Sequence, residues 1–211
     1  MTLKRTFIAL CLLFAFAAKA SFILIPMDES TQANHLKAYG ITYWALDKQY
    51  KASWLLNYRG GSFLLPDAPE IRKECRIRGV SFEVISDAEQ QSILDEISSP
   101  SQNMEAVVLE KAPKIAVYTP PGKQPWDDAV TLVLTYAEIP FTAVYDKEVL
   151  SDQLLLYDWL HLHHEDFTGQ YGKFFGAYRN APWYIQQKKD AEALAAELGT
   201  PGCLVCGCAL C

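Results

Sequence analysis

From Phe22 to Leu198, short apolar runs of strand length alternate with capped helical segments, and nothing else in the chain limits its fold as much. Phe22–Pro26, Ile41–Leu46, Ser53–Tyr58, Phe63–Leu65 and Val80–Ile85 read as strands. Lys114–Tyr118, Phe141–Tyr145 and Leu155–His163 continue the series, the last so continuously apolar that it reads as buried. Between them, His35–Tyr39 reads as a short helix closed by Gly40, Glu70–Arg78 as a helix stopped by Gly79, and Ala88–Ile97 as a helix capped by Asp87. Asp127–Glu138 carries Val130, Val133, Leu134 and Ala137 on one helical face. Tyr178–Leu198 is a helix ending at Gly199. Asp28-Glu-Ser-Thr31 reads as a capping cluster, and Ser98–Asn103 as a loop. Strands that alternate with helices predict α/β architecture: a mainly parallel sheet with helices on both faces.

The alternation also suggests an internal repeat. Val80-Ser-Phe-Glu-Val-Ile-Ser-Asp87 aligns with Ile139-Pro-Phe-Thr-Ala-Val-Tyr-Asp146, dividing residues 21–199 into two similar halves of about 21–103 and 104–199. Convergence of unrelated βαβ units on one pattern would give the same match.

The first twenty residues stand apart. Lys4 and Arg5 form a positive start, Phe7–Ala18 an apolar stretch, and Ala18-Lys19-Ala20 places small residues where a signal peptidase reads them. Cleavage before Ser21 and export to the periplasm or the extracellular space are expected. The apolar stretch is shorter than the roughly 20 residues a membrane-spanning helix needs. Lys4, Arg5 and Lys19 are three of the 19 basic residues, so 16 then stand against 25 acidic ones, a net charge of −9. Nucleic acid and anionic membrane surfaces are poor partners for such a chain, because both demand positive potential. No later segment is apolar enough to cross a membrane.

The cysteines are unevenly placed. Cys75 lies mid-helix near Ile71 and reads as a packed thiol. Cys203, Cys206, Cys208 and Cys211 crowd the Cys-rich segment 200–211, which could chelate a soft metal. Its abrupt change of composition fits a truncated or out-of-frame end better, so C-terminal strands are expected to be missing.

Chemistry concentrates in Trp159-Leu-His-Leu-His-His-Glu-Asp166. On a strand His161 and His163 share a face, making them candidate ligands for a divalent metal. His163, His164, Glu165 and Asp166 fall at the strand's carboxyl end, where open parallel sheets bind ligands, and are the candidate catalytic residues. A buried, hydrogen-bonded histidine pair is the structural alternative. Arg59, Gly60, Gly61 and Ser62 form a second candidate, a glycine-rich loop whose N–H groups could receive an anionic ligand; a simple turn explains the same residues. Asp87, Asp127, Asp128 and Asp146 are explained by capping. Tyr171, Phe174, Phe175, Tyr178, Trp183 and Tyr184 suit either a carbohydrate- or partner-binding surface or helix packing.

Four segments carry a family resemblance: Phe22–Ser30, Trp54–Phe63, Gln124–Ala129 and Tyr157–Tyr171. Over residues 20–199 the chain resembles an exported family of Bacteroidetes-type bacteria catalogued as "asparagine synthetase B". The resemblance implies a flavodoxin-like fold of the class I glutamine amidotransferase or ThuA-like kind, and hydrolase-like or amidotransferase-like chemistry. ATP-dependent asparagine synthesis is not expected. The chain has neither a cysteine at its mature start nor a Ser-Gly-Gly-x-Asp-Ser loop for ATP. Any nucleophilic cysteine elbow would follow Gly199.

Overall fold

In a computed structural model the chain is described over residues 21–119, 129–162 and 177–199. It separates into two compact units, Met1–Lys111 and Ala112–Cys211. Among the described residues no helix is long and apolar enough to cross a membrane.

The first unit runs β1 (Ser21–Ile25), α1 (His35–Asp47), β2 (Ala52–Leu56), β3 (Ser62–Pro66), α2 (Pro69–Arg78), β4 (Glu83–Ser86), α3 (Asp87–Ile97) and β5 (Glu105–Leu109). Its five strands stand in the order β4-β1-β3-β2-β5, and every neighbouring pair is antiparallel. The expected mainly parallel, flavodoxin-like or amidotransferase-like sheet is therefore wrong. Helix α1 does join two strands that point the same way, β1 and β2, but β3 lies between them. Helix α2 likewise joins β3 and β4 around β1. This is the split βαβ, or ferredoxin-like, arrangement, extended at one edge by β5.

Alternation along the strands sends two sets of side chains to opposite faces. Leu24, Leu55, Leu64 and Ile85 pack with Ile97 of α3, and Ile93 and Leu94 of the same helix lie against them. On the other face Ile23, Ile25, Phe63 and Leu65 are buried, and Tyr39 of α1 meets Phe63 edge-on at 5.2 Å. Burying each such aliphatic side chain stabilises the fold by roughly 1.5–3 kcal/mol.

Four local expectations change here. Ile41–Leu46 is not a strand, because α1 continues through Gly40 to Asp47. Ala38, Ile41, Thr42 and Ala45 are buried at helical spacing, and Gly40 is buried within the helix rather than ending it. Asp28–Thr31 does not cap α1; the N-cap is Asn34, whose side chain accepts from Lys37 N–H. The loop around Ser98–Asn103 leads into β5, which pairs with β2 and so belongs to the first unit. Ser86, not Asp87, caps α3, in a capping box with Glu89.

The second unit contains β6 (Ile115–Tyr118), α4 (Ala129–Ala137), β7 (Thr142–Val144), α5 (Asp146–Leu150), β8 (Trp159–Leu162) and α6 (Pro182–Leu198). Its strands are parallel, in the order β7-β6-β8. Among the described residues parallel pairing is thus confined to this small sheet. Leu155–His163 is not one buried strand. Gln153–Leu156 forms a 3₁₀ turn, with Leu155 88% exposed, and β8 lies at an edge with Trp159 and Leu162 half exposed. The aligned octapeptides at 80–87 and 139–146 both lead from a strand into a helix. Their strands pair differently, β4 antiparallel and β7 parallel.

Candidate functional site

In the parallel sheet the chain leaves β6 for β7 on one side and returns to β8 on the other. Side by side and parallel, β6 and β8 bring their carboxyl ends to one edge of this sheet, the edge at which open parallel sheets bind ligands. The described residues at this end are Tyr118, the last of β6, and Thr119 after it, Tyr145 and Asp146 after β7, and Leu162 on β8. Thr119 N–H prolongs the pairing by donating to Val144 O at 3.0 Å.

Asp146 is the polar centre of this edge. It is 7% exposed, and Tyr118 donates its phenolic hydrogen to Oδ1 at 2.5 Å. The Tyr118 and Tyr145 rings lie 5.2 Å apart. Glu148 reaches back to accept from Tyr145 N–H at 3.0 Å, which fixes the entry into α5. Asp146 is therefore the first residue of that helix rather than its cap. A buried carboxylate with an O–H donor can orient a hydroxyl, accept a proton or hold a cation.

His161 lies on β8 opposite Val117 of β6, with its ring 6.3 Å from that of Trp159. His163, His164, Glu165 and Asp166 lie outside the described residues, as do Tyr171, Phe174 and Phe175, Asp127, Asp128 and the segment 200–211. Among the described residues no group of three or more His, Cys, Asp or Glu side chains is arranged to hold a metal ion.

The second candidate lies in the first unit, where the chain leaves β1 and where β2 turns into β3. Asn57, Arg59, Gly60 and Gly61 all take positive φ, at 61°, 44°, 80° and 94°. At Gly60 the requirement is absolute, since a Cβ there would stand 2.4 Å from the Met27 carbonyl oxygen. Met27 N–H donates to Arg59 O at 3.0 Å, tying the two loops backbone to backbone. Arg59 Nε–H donates to Asp28 Oδ2 at 3.1 Å, and its Nη1 donates to Glu83 Oε2 at 3.0 Å. Asp28 also accepts from Ser30 at 2.7 Å and from the Thr31 hydroxyl. Those hydroxyls, and then the guanidinium, hold its carboxyl at about 2.

Arg59 is thus compensated by two carboxylates. Gly61 N–H, a donor that an anion nest would present, bonds Tyr58 O at 3.0 Å. Ser62 Oγ donates to Tyr58 O and Arg59 O. The four expected ligand residues do come together, as a turn closed by its own hydrogen bonds.

Sequence reasoning missed three participants. In the sequence Asp28 reads as part of a cap, and Glu83 as a strand residue. Gln32 is 1% exposed; its amide donates to Pro26 O and Ser81 O and accepts from Ser81 N–H and Asn34 N–H. Cys75 is buried, and desolvation pushes its thiol up to about 12, the behaviour of a packing group.

Set against protein-family models, curated proteins and solved structures, the chain finds no match in any of the three.

Proposed function

We propose that this chain is an exported protein, processed before Ser21, whose second unit binds a small molecule at the carboxyl end of its parallel sheet and acts on it by hydrolase-like or amidotransferase-like chemistry. One observation supports the reading: β8 lies parallel to β6 in the order β7-β6-β8, and His163-His-Glu-Asp166 follows the carboxyl end of β8 directly in sequence. Imidazole titrates near neutral pH, so this tetrad offers acid–base groups in the same unit as the Tyr118–Asp146 pair. A divalent metal on His161 and His163 is the cofactor such a set would take. Kinship with the exported family catalogued as "asparagine synthetase B" belongs to the same proposal, without ATP-dependent synthesis.

The test is a glutaminase assay and a metal analysis on the full-length protein and on the His163→Ala/His164→Ala double variant. Loss of activity or of bound metal in the variant supports the reading. A variant that keeps both overturns it.

A second reading is a non-catalytic, carbohydrate- or partner-binding envelope module. Tyr178 and Trp183 favour it: both are nearly half exposed, with rings 6.0 Å apart, whereas Tyr184 is buried. A glycan array on the full-length protein and on Trp183→Ala separates the two. Glycan binding lost in the variant supports the module, and an empty array counts against it.

A further inference from the structure

Ser21 is both the residue after the expected cleavage point and the first residue of β1, with no spacer between the two roles. It stands opposite Ser86 in the β1–β4 ladder. Its Oγ donates to Asp67 Oδ2 at 2.5 Å, and its carbonyl accepts from Asp67 N–H at 3.1 Å. The Asp67 side chain is 8% exposed and is gripped by Nε and Nη2 of Arg72. On the other flank, Glu89 accepts from the N–H and the hydroxyl of Ser86 at 2.7 and 2.8 Å, and Asp87 begins α3 beside it. Ser21 thus starts between a nearly buried carboxylate on the β3–α2 side and two further acids on the β4–α3 side. Arg72 is the cation that grips the first of these carboxylates.

We propose that export processing supplies a second positive charge here: the α-ammonium group released at Ser21 binds Asp67 beside Arg72 and completes a cluster of Ser21, Asp67 and Arg72 at the start of β1. The inference rests on cleavage before Ser21, as proposed above. In that hydrolysis, catalysed by the host's signal peptidase, the C–N bond between Ala20 and Ser21 breaks. Water oxygen adds to the Ala20 carbonyl carbon to leave a carboxylate, and the Ser21 nitrogen becomes an ammonium ion. A neutral amide is replaced by a full positive charge. That nitrogen is three bonds from Oγ, and so lies within about 6 Å of the Asp67 carboxylate, a range in which opposite charges support each other. A carboxylate offers about four acceptor sites, enough for the Ser21 hydroxyl, Arg72 and an ammonium donor together.

Processing must also precede the pairing of Ser21 into the sheet. Once Ser21 is paired with Ser86 and tied to Asp67, the bond before it is no longer on an extended, free segment.

The full chain is exported from a bacterial host and its N-terminus read by intact mass and N-terminal sequencing. A start at Ser21 supports the cleavage reading; a start elsewhere overturns that reading and the inference with it. For protein beginning at Ser21, the pH profile of α-amine acetylation is measured in the folded and the urea-unfolded state. The expected folded midpoint lies at least about half a unit above the unfolded one, falls back in Asp67→Asn, and stays raised in Asp67→Glu. Coincident midpoints in folded and unfolded wild-type protein overturn the docking and leave the cleavage reading standing. That comparison needs no variant, so it decides the matter even if Asp67→Asn does not fold.

Discussion

Arg59 and Asp28, 31 residues apart, are joined by an Nε–H···Oδ2 hydrogen bond of 3.1 Å that draws the loop after β1 onto the turn between β2 and β3. The Asp28 carboxyl is lowered from 3.8 to about 2. Its folded pKa is depressed, so its contribution to stability is complete above pH 3.8 and is lost as pH falls through about 2. Asp28→Asn should flatten that part of the acid-unfolding curve and leave the neutral-pH limb with its wild-type slope. Trp54 fluorescence during acid titration checks this; an unchanged acid limb in the variant would contradict it.

The positive-φ glycines should rank by what a Cβ would meet. Gly60→Ala forces a methyl group onto the Met27 backbone and should cost more than about 3 kcal/mol. Gly61→Ala meets only Trp54 Nε1 at 3.3 Å, and with its strained φ should cost about 1–2 kcal/mol. Gly79→Ala, the end of α2, meets nothing within 4 Å and should cost about 1 kcal/mol. Urea denaturation of the three variants tests the order, and Gly60→Ala ranking below Gly79→Ala would refute the close approach.

Cys75 should be inert in the folded protein. Its thiol sits at about 12 because burial disfavours the thiolate, and the thiolate is the reactive form. Iodoacetamide at pH 8, followed by peptide mapping, should leave the Cys75 peptide unmodified until urea is added. Rapid native modification would show that α2 opens readily from the sheet.

Tyr118 and Asp146 should be energetically coupled. Tyr118→Phe removes the donor to a 7% exposed carboxylate and should cost about 1.5–3 kcal/mol, as expected for a hydrogen bond to a charged group. In a double-mutant cycle with Asp146→Asn, a coupling of about 1 kcal/mol or more is expected. Strictly additive effects would mean that the bond contributes nothing.

Much of the local structure was legible in the sequence, because local signals are physical. Gly79 takes φ 67° and ends α2, as a glycine after a helical run should. Gly40 misled for the converse reason: a glycine packed inside a helix carries no mark that separates it from a terminator, although the spacing of Ala38, Ile41, Thr42 and Ala45 was there to read. Strand direction was not legible. The residues of β1 and β3 are apolar in the same way whether their ladder is parallel or antiparallel, and only the placing of β3 between β1 and β2 decides it. The candidate loop 59–62 was visible through its glycines. Its ion pairs were not, because Asp28 and Glu83 reach Arg59 from 31 and 24 residues away.

The first sheet is also contiguous in sequence. Each of its ladders, from β4-β1 to β2-β5, is made between residues 21 and 109. A chain synthesised or threaded N-terminus first could therefore seal this unit before any strand of the second emerged. The last strand to arrive, β5, adds only to an edge. A chain that ends shortly after Leu109 and is free along its whole length would already hold a finished ferredoxin-like layer, and hydrogen exchange on it would see β1 and β3, its two most buried strands, protected first.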